Sequence, residues 1–260
     1  MAFPRGKRIG IIEIQGTIGR GVRPETHLPL LERARESRRI AALVLAVDSP
    51  GGSAAASEEL YLAVAKVAAV KPVVAYIRNL GASGALYISV AARKIVAVRN
   101  ALIGSIGVVS ARLTAKELLD KVGISFSVRK TGEHKDMFSP WREPTPEEEE
   151  KVQALIDEVY ERFIQVVSEE RSMDREAVEK LATGEVYTAQ RALTLGLIDE
   201  LGDLDTALDM AAEMAGIRRR VVYLRPKRRF VPMVRAGFGQ EMLHAVLDEL
   251  DQGLARRVWL

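Results

Sequence analysis

Ala41-Ala-Leu-Val-Leu-Ala-Val47, followed at once by Asp48-Ser-Pro-Gly-Gly-Ser53, is the stretch that decides the fold of this chain. Its first part is an unbroken apolar run, which is typical of a parallel strand buried on both faces of a sheet. Pro50 and the two glycines end that strand, and Ser53 can cap a helix that follows them. A strand that leads through a tight turn into a helix is the building unit of an α/β fold.

The same alternation of strand and helix extends to both sides of this stretch. Further strands are predicted at Arg8–Ile14, Pro72–Ile77 and Lys94–Val98, because each is a short apolar run. Apolar residues at helical spacing predict helices over His27–Arg38 and Leu60–Val70. The predicted class is therefore α/β, with mainly parallel sheet units flanked by helices. Ligands bind such folds at the carboxyl ends of the strands, so we expect the chemistry in the loops there.

A long helix is predicted after residue 145. Thr145 is its expected N-cap and Pro146 its first residue, and an apolar stripe continues for about 25 residues. We expect this stripe to pack on the sheet or on a neighbouring subunit. Shorter helices are predicted at Asp174–Leu181, Thr188–Leu195 and Asp203–Ala215, with Gly196 and Gly202 as stops. Residues 1–216 are predicted to form one domain, and residues 217–260 a basic segment and C-terminal tail.

The composition excludes several kinds of active site. The 260 residues include no cysteine, which rules out disulfides, cysteine-ligated metals and cysteine nucleophiles. Only three histidines are present, and a zinc site built from histidines would need nearly all of them. They are His27, His134 and His244.

The net charge of +3 is unevenly distributed, because residues 218–235 hold eight basic and no acidic side chains. This segment predicts either a solvated edge strand and connector or a surface for an anionic membrane or an acidic partner, and nucleic acid is the less favoured ligand. No apolar run approaches the ~18 residues that a membrane span needs. We expect a protein that is cytoplasmic or peripheral to a membrane, and any membrane anchor would lie outside this sequence.

Two turns that follow strands carry residue types suited to acyl transfer. In Asp48-Ser-Pro-Gly-Gly-Ser53 the glycines let backbone N–H groups approach a ligand, as an oxyanion hole requires, although a plain strand-to-helix turn explains them as well. In Asn79-Leu-Gly-Ala-Ser-Gly-Ala85 the hydroxyl of Ser83 lies at a predicted helix start, beside the N–H of Gly84. That serine is either a nucleophile or an N-cap.

A nucleophilic serine needs a base, and a single polar loop offers two candidates. His134 is the one histidine in such a loop, and Lys135 follows it. A lysine can serve as base when burial or a nearby positive charge lowers its pKa until the amine is neutral. The alternative is a solvated lysine paired with Asp136. Ser105, which lies in a glycine-flanked turn, is either a hydrogen-bonding partner for such an amine or a turn residue.

Together these motifs resemble those of the signal peptide peptidase A family of serine–lysine proteases, in order and in approximate spacing. The likeness covers residues 8–215 and rests on Asp48-Ser-Pro-Gly-Gly52, Ala82-Ser-Gly84, Gly104-Ser-Ile-Gly107 and Thr131-Gly-Glu-His-Lys-Asp136. The resemblance implies that Ser83 is the nucleophile, that Lys135 is its general base and that Ser105 hydrogen-bonds this base. It further implies that Gly52 and Gly84 supply the oxyanion hole.

The resemblance also implies a Clp-protease/crotonase-like fold and a serine endopeptidase that uses no metal or other cofactor. Its substrates would be signal-peptide remnants and other unfolded or membrane-derived peptides, cleaved through an acyl-enzyme. Family members assemble into homo-oligomeric rings, so Ser83 and Lys135, 52 residues apart, need not meet within one subunit. Two features depart from the family pattern. Gly84 is followed by Ala85 rather than by a second glycine, and the chain shows no N-terminal anchor.

Four alternatives share parts of this pattern. A Clp-type serine–histidine–aspartate peptidase is disfavoured, because no histidine follows Ser83 within a few tens of residues on a helix. A processing protease of the same serine–lysine superfamily fits the same residues. A crotonase-like acyl-CoA enzyme would use the oxyanion N–H groups for an enolate and would not need Ser83. A noncatalytic scaffold would use the basic segment to bind RNA or membrane.

Overall fold

The computed structural model describes residues 6–226, and this part of the chain alternates strands and helices. The strands are β1 (Arg8–Gln15), β2 (Ile40–Ser49), β3 (Val73–Ala82), β4 (Lys94–Ala97), β5 (Leu102–Gly104), β6 (Val186–Thr188), β7 (Glu200–Leu201) and β8 (Val221–Tyr223). The helices are α1 (Pro24–Glu36), α2 (Ala54–Ala68), α3 (Gly84–Ser89), α4 (Lys116–Lys121), α5 (Pro146–Arg171), α6 (Arg175–Leu181), α7 (Ala189–Thr194) and α8 (Leu204–Met214).

The strands form one sheet with the order β6-β5-β3-β2-β1-β8, and β4 and β7 lie off this path. Every strand pair among the described residues is parallel except β5 with β6. One edge of β3 pairs with β2, and its other edge pairs first with β4 and then with β5. The predicted α/β fold with a mainly parallel sheet flanked by helices is confirmed.

Helices cover both faces of the sheet because side chains alternate along each central strand. On β2, Leu43, Leu45 and Val47 belong to a large apolar cluster that includes residues of α1, α2, α3 and α5. Ala42 and Val44 belong to a second cluster, in which α8 contributes most of the helical side chains. Burial of each large aliphatic side chain stabilises the fold by about 1.5–3 kcal/mol. The continuous apolar run in β2 therefore serves two cores at once.

Two strand boundaries differ from the sequence-based expectation. β3 was expected to end at Ile77, but it continues to Ala82 because Leu80–Ala82 pair with β5. Gly104, expected to flank the turn at Ser105, is instead the last residue of strand β5, and the turn begins at Ser105. In both places the glycines that suggest a turn lie within paired strands, since tertiary pairing outweighs the local turn signal.

Helix α5 begins where the sequence predicts. Thr145 Oγ1 accepts a hydrogen bond from the N–H of Glu148 at 3.2 Å, and Glu148 Oε2 accepts one from the N–H of Thr145 at 2.9 Å. This reciprocal capping box fixes the helix start. Only the second half of the predicted apolar stripe is buried against the sheet, whereas Leu155 and Val159 of the first half are exposed.

The shorter helices of the C-terminal half are found at the predicted places. They are α6, α7 and α8. Gly196 lies just after α7 with φ +80°, as expected of a glycine that ends a helix. Gly202 has a different role from the predicted one, because it follows the strand β7 rather than a helix.

The predicted C-terminal appendage starts with an edge strand. β8 lies within residues 217–260 and pairs in parallel with β1. Arg219 contacts Asp205 and Asp209, and Arg225 lies 3.6 Å from Glu13. The remainder of the basic segment, residues 227–235, lies outside the described part of the chain. The domain boundary at residue 216 and the membrane contact of this segment stay predictions.

Within residues 6–226, no helix is both long enough and apolar enough to cross a membrane.

Candidate active site

Three loops that follow neighbouring strands meet at one cavity. β3 lies between β2 and β5 and runs parallel to both, so their carboxyl ends lie side by side. The cavity has a volume of about 1160 Å³. Four of the five residues predicted for the site line it, namely Gly52, Ser83, Gly84 and Ser105.

Ser83 occupies the sharp turn between β3 and α3. Its φ is +52°, which is uncommon for a residue other than glycine and costs about 1–3 kcal/mol. The turn is fixed on both sides, because the Ser83 N–H donates to Gly104 O at 2.8 Å and the Ser83 carbonyl accepts from the Tyr87 N–H at 3.0 Å. Ser83 is at the N-cap position of α3, but its side chain makes no capping hydrogen bond. Within residues 6–226 the hydroxyl has no hydrogen-bond partner, and Ser83 lines the cavity.

Two backbone N–H groups beside this serine are also free. The N–H groups of Gly52 and Gly84 have no hydrogen-bond acceptor among residues 6–226. The loop at Gly52 is held by Ile18, whose N–H donates to Gly51 O at 2.8 Å and whose carbonyl accepts from the Ser53 N–H at 3.0 Å. Free N–H groups at the starts of α2 and α3 suit a ligand oxygen that carries negative charge.

Glycine is required where this loop passes the serine turn. A Cβ atom at Gly51 would lie 2.7 Å from Gly84 N and 2.8 Å from Ser83 Cβ. Gly51 also has φ +95°, a conformation that favours glycine. The paired glycines thus bring the candidate oxyanion loop into direct contact with the candidate nucleophile.

Ser105 begins the third loop. Its φ is +51°, and its N–H donates to Glu185 O at 2.6 Å. Gly104, the residue before Ser105, accepts a hydrogen bond from the Ser83 N–H. Ser83 follows the last residue of β3 and Ser105 follows the last residue of β5, and these two strands are paired. Ser105 therefore borders the same cavity as Ser83.

Lys135 lies apart from these four residues. It is exposed in a segment, residues 108–141, whose only helix or strand is α4, and it does not line the cavity. Its ammonium group makes no hydrogen bond or ion pair within residues 6–226. In contrast, Lys130 of the same segment donates to Glu133 O and to Asp136 Oδ1, both at 2.6 Å. Lys135 thus differs from Lys130, its nearest lysine neighbour in the sequence, in that its side chain has no partner among residues 6–226.

Neither of the two histidines within residues 6–226 lines this cavity. His27 is buried in α1, where its ring nitrogens lie 3.0 Å from Arg23 O and 3.3 Å from Glu13 O. His134 lies 3.6 Å from Glu147 and does not line the cavity. His244 is outside the described residues.

Comparison with known proteins identifies the family of this chain. The model of a family described as Peptidase family S49 matches residues 65–218, which is more than half of the chain. The chain belongs to peptidase family S49. The predicted membership of the signal peptide peptidase A family is confirmed by relatives that carry that name, and this S49 chain is therefore a member of a family of peptidases.

Relatives of this S49 chain come from bacteria, an archaeon and a plant. A protein from Synechocystis sp. that carries a protease name is 37% identical over 94% of this chain and 88% of its own length. The serine protease SPPA, chloroplastic, from Arabidopsis thaliana is 32% identical, and Protease 4 from Salmonella typhi is 35% identical. They match 90% and 84% of this chain, which spans only 36% and 34% of their lengths.

A solved structure with the same fold is that of a ClpP1 mutant from Listeria monocytogenes. Its TM-score with this S49 chain is 0.52 at 15% identity, over 76% of this chain and 93% of the other. At that identity the likeness concerns the fold alone. The expected Clp-protease-like fold is confirmed.

Several residues at the cavity of this S49 chain were not predicted from the sequence. Glu58 on α2, Tyr87 on α3 and Arg162 on α5 line its wall, together with Phe163. Arg162 Nη2 donates to Glu58 Oε1 at 3.2 Å across 104 residues of sequence. No local pattern links residues so far apart, although Glu58 lies in the first helix after the glycine loop.

Ion pairs between side chains tie the segment that carries Lys135 to the start of α5. Arg142 donates two hydrogen bonds to the carboxylate of Asp136 and two to that of Glu148. Hydrogen bonds from Arg142, and next from Lys130, hold the pKa of Asp136 well below its usual range. Arg142 and the N–H of Thr145 lower the pKa of Glu148 to about 2. Bidentate pairs of this kind are geometrically specific.

Arg142→Gln is expected to destabilise this S49 chain in a pH-dependent way. Both carboxyl groups have lowered pKa values in the folded state, so their contribution is present above about pH 4 and is lost as the pH falls toward about 2. The stability difference between wild type and variant, measured by urea unfolding, should therefore narrow below about pH 4. Arg175→Gln is the control, because Arg175 also contacts two carboxylates but is half-exposed with both partners. A difference that does not change with pH would contradict the ion-pair explanation.

Proposed function

We propose that this chain is a serine endopeptidase in which Ser83 is the nucleophile and Lys135 the general base. The observation that supports it most directly is the turn at Ser83, where a strained backbone holds a free hydroxyl at a cavity. The free N–H groups of Gly52 and Gly84 beside that hydroxyl are what acyl transfer requires. A crotonase-like enzyme would need the N–H groups alone, so the strained serine favours the peptidase.

The reaction follows from these groups. Ser83 Oγ attacks the carbonyl carbon of the peptide bond while the neutral amine of Lys135 accepts the hydroxyl proton. The N–H groups of Gly52 and Gly84 donate to the oxyanion of the tetrahedral intermediate. The C–N bond then breaks, and the protonated Lys135 gives its proton to the leaving amine. Water attacks the resulting ester of Ser83 by the same steps and releases the acid.

The proposed base reaches the serine through assembly. The segment 108–141 carries Lys135 and exposes eight large apolar side chains, and exposed apolar surface of this kind is typical of protein–protein interfaces. They are Val109, Leu113, Leu118, Val122, Ile124, Phe126, Val128 and Phe138. We propose that neighbouring subunits in a homo-oligomeric ring cover these side chains, and that Lys135 of one subunit serves Ser83 of the next.

The proposed substrates are extended peptides, such as signal-peptide remnants and unfolded segments. The cavity of about 1160 Å³ exceeds the usual size of a small-molecule pocket and has room for several residues of an extended chain. Ile156, Val159 and Phe163 give its α5 wall an apolar character, which favours apolar side chains of the substrate.

Covalent trapping tests the nucleophile. A peptide fluorophosphonate should label the wild type at Ser83, identified by mass spectrometry of the digested protein, and should leave Ser83→Ala unlabelled. Heat-denatured wild type is the control, because labelling by a catalytic serine requires the folded site. Label on another residue, or equal labelling of Ser83→Ala, would overturn the proposed function.

A further inference from the structure

The Gly52 N–H and the Ser83 hydroxyl of the candidate site lie at the starts of two different helices. α2 begins just after Gly52, with Ser53 as its N-cap, and α3 begins just after Ser83. The distance between the Gly52 N–H and the Ser83 hydroxyl is therefore set by how α2 and α3 lie against each other. The helices touch in their first turns, because a Cβ atom at Gly84 would lie 2.2 Å from Ser57 Oγ.

One turn further along, a hydrogen bond joins the same two helices. The hydroxyl of Tyr87 on α3 donates to Glu58 Oε2 on α2, and the other oxygen of Glu58 accepts from Arg162 on α5. A hydrogen bond to a charged carboxylate is stronger than one between neutral groups. Tyr87 is also joined to the nucleophile by its backbone, since its N–H donates to Ser83 O at 3.0 Å.

The ring of Tyr87 restricts this arrangement further. It packs edge-on against Tyr61 and against Phe163, with ring centroids 5.1 Å apart in both pairs. Burial, and next the hydrogen bond to Glu58, raise the pKa of Tyr87 far above its usual value. The hydroxyl therefore remains a donor at every working pH. Packing fixes where the ring lies, and the hydrogen bond fixes which carboxylate it meets.

We propose that Tyr87, Glu58 and Arg162 are positioning residues that hold Ser83 in register with the Gly52 N–H. This inference rests on the proposed function, because it assumes that these two groups act on one carbonyl. A displacement of about 1 Å between reacting groups can cost about 100-fold in rate. The three side chains join α2, α3 and α5 beside the cavity, where such a displacement would otherwise arise.

Tyr61 provides a matched control. Its hydroxyl also donates to a carboxylate, Glu170 Oε1 at 2.7 Å, and its ring also packs on Tyr87. Burial, and next its carboxylate partner, raise its pKa as they do for Tyr87. It differs in that it joins α2 to the far end of α5 and does not line the cavity. Tyr61→Phe thus removes an equivalent hydroxyl without loosening α3.

The experiment compares Tyr87→Phe, Tyr61→Phe, Ser83→Ala and wild type on one quenched, unfolded protein substrate, with Tm measured for each. Tyr87→Phe should lower kcat by about 10- to 100-fold with KM within about 2-fold, and should slow fluorophosphonate labelling of Ser83 to a similar degree. Tyr61→Phe should keep kcat within about 2-fold of the wild type, although it should lower Tm about as much as Tyr87→Phe does. Glu58→Gln, which keeps an acceptor for Tyr87, should lose less kcat than Glu58→Ala.

Each of the following outcomes would overturn the inference. Equal kcat in Tyr87→Phe and Tyr61→Phe would show that the hydroxyl of Tyr87 has only a structural role. A rise in KM with unchanged kcat would make Tyr87 part of the substrate-binding wall instead. Activity that survives in Ser83→Ala would overturn the proposed function itself, and the inference with it. An inactive Ser83→Ala with an unaffected Tyr87→Phe would overturn the inference alone.

Discussion

Ser83→Ala and Lys135→Ala are each expected to lower kcat/KM for an unfolded protein by at least about 1000-fold. The first removes the attacking oxygen, and the second removes the amine that takes its proton. Neither the hydroxyl of Ser83 nor the amine of Lys135 has a side-chain partner in the described part of the chain, which leaves both available for these roles. Cleavage of a fluorescently quenched substrate measures the loss, after gel filtration has shown that each variant assembles as the wild type does.

A mixture of the two inactive variants tests whether neighbouring subunits share the site. After dissociation and reassembly at equal amounts, about a quarter of the serine–lysine pairs between neighbours should be intact, and activity should return in proportion. No return would mean that both residues act within one subunit. Lys121→Ala is the control, because Lys121 is an exposed lysine of the same segment outside the proposed mechanism. Full activity in unmixed Lys135→Ala would contradict the dyad.

Gly52→Ala is expected to lower kcat/KM by at least about 100-fold, as the loss of one oxyanion donor does. The new Cβ atom would lie 2.2 Å from Ile18 O and 2.7 Å from Ile18 N. Both are backbone atoms of Ile18, the residue whose hydrogen bonds hold this loop. The φ of +150° at Gly52 is also unsuited to alanine. The loop must therefore move, and its N–H moves with it. Steady-state kinetics measure the effect, and urea unfolding measures the accompanying loss of stability.

Gly21→Ala is the matched control for this substitution. Gly21 lies between β1 and α1, in the loop that also holds Ile18. Its φ is not positive, and the atom nearest to a new Cβ atom would be Gln15 O at 3.4 Å. The kcat/KM of Gly21→Ala should stay within about 2-fold of the wild-type value. If Gly52→Ala is folded and fully active, the N–H of Gly52 is not an oxyanion donor.

The strand ends and their loops were predictable because their signals are local. An apolar run followed by Pro50 and two glycines marks the end of β2, and Thr145 with Pro146 marks the start of α5. The full length of β3 was not predictable, since Gly81 suggests a turn until β5 pairs with it. The Glu58–Arg162 contact was also hidden, because it depends on how α2 and α5 pack.

The position of Lys135 shows a different limit of the sequence. The family motif selects Lys135, and ahead of it Val122, Ile124, Phe126 and Val128 alternate with small or polar residues as in a strand, yet residues 122–128 form no strand in the described part of the chain. The position of such a segment depends on the surface against which it packs. Within one subunit, Lys135 does not line the cavity.

The turn at Ser83 is complete within one subunit, since both of its backbone hydrogen bonds are internal. If the base comes from a neighbour, a separated subunit is a latent enzyme with a formed nucleophile and no proton acceptor. Such a subunit needs no propeptide to keep it inactive, because dilution alone withholds the base. Local protein concentration would then decide where proteolysis begins, and dissociation would stop it reversibly.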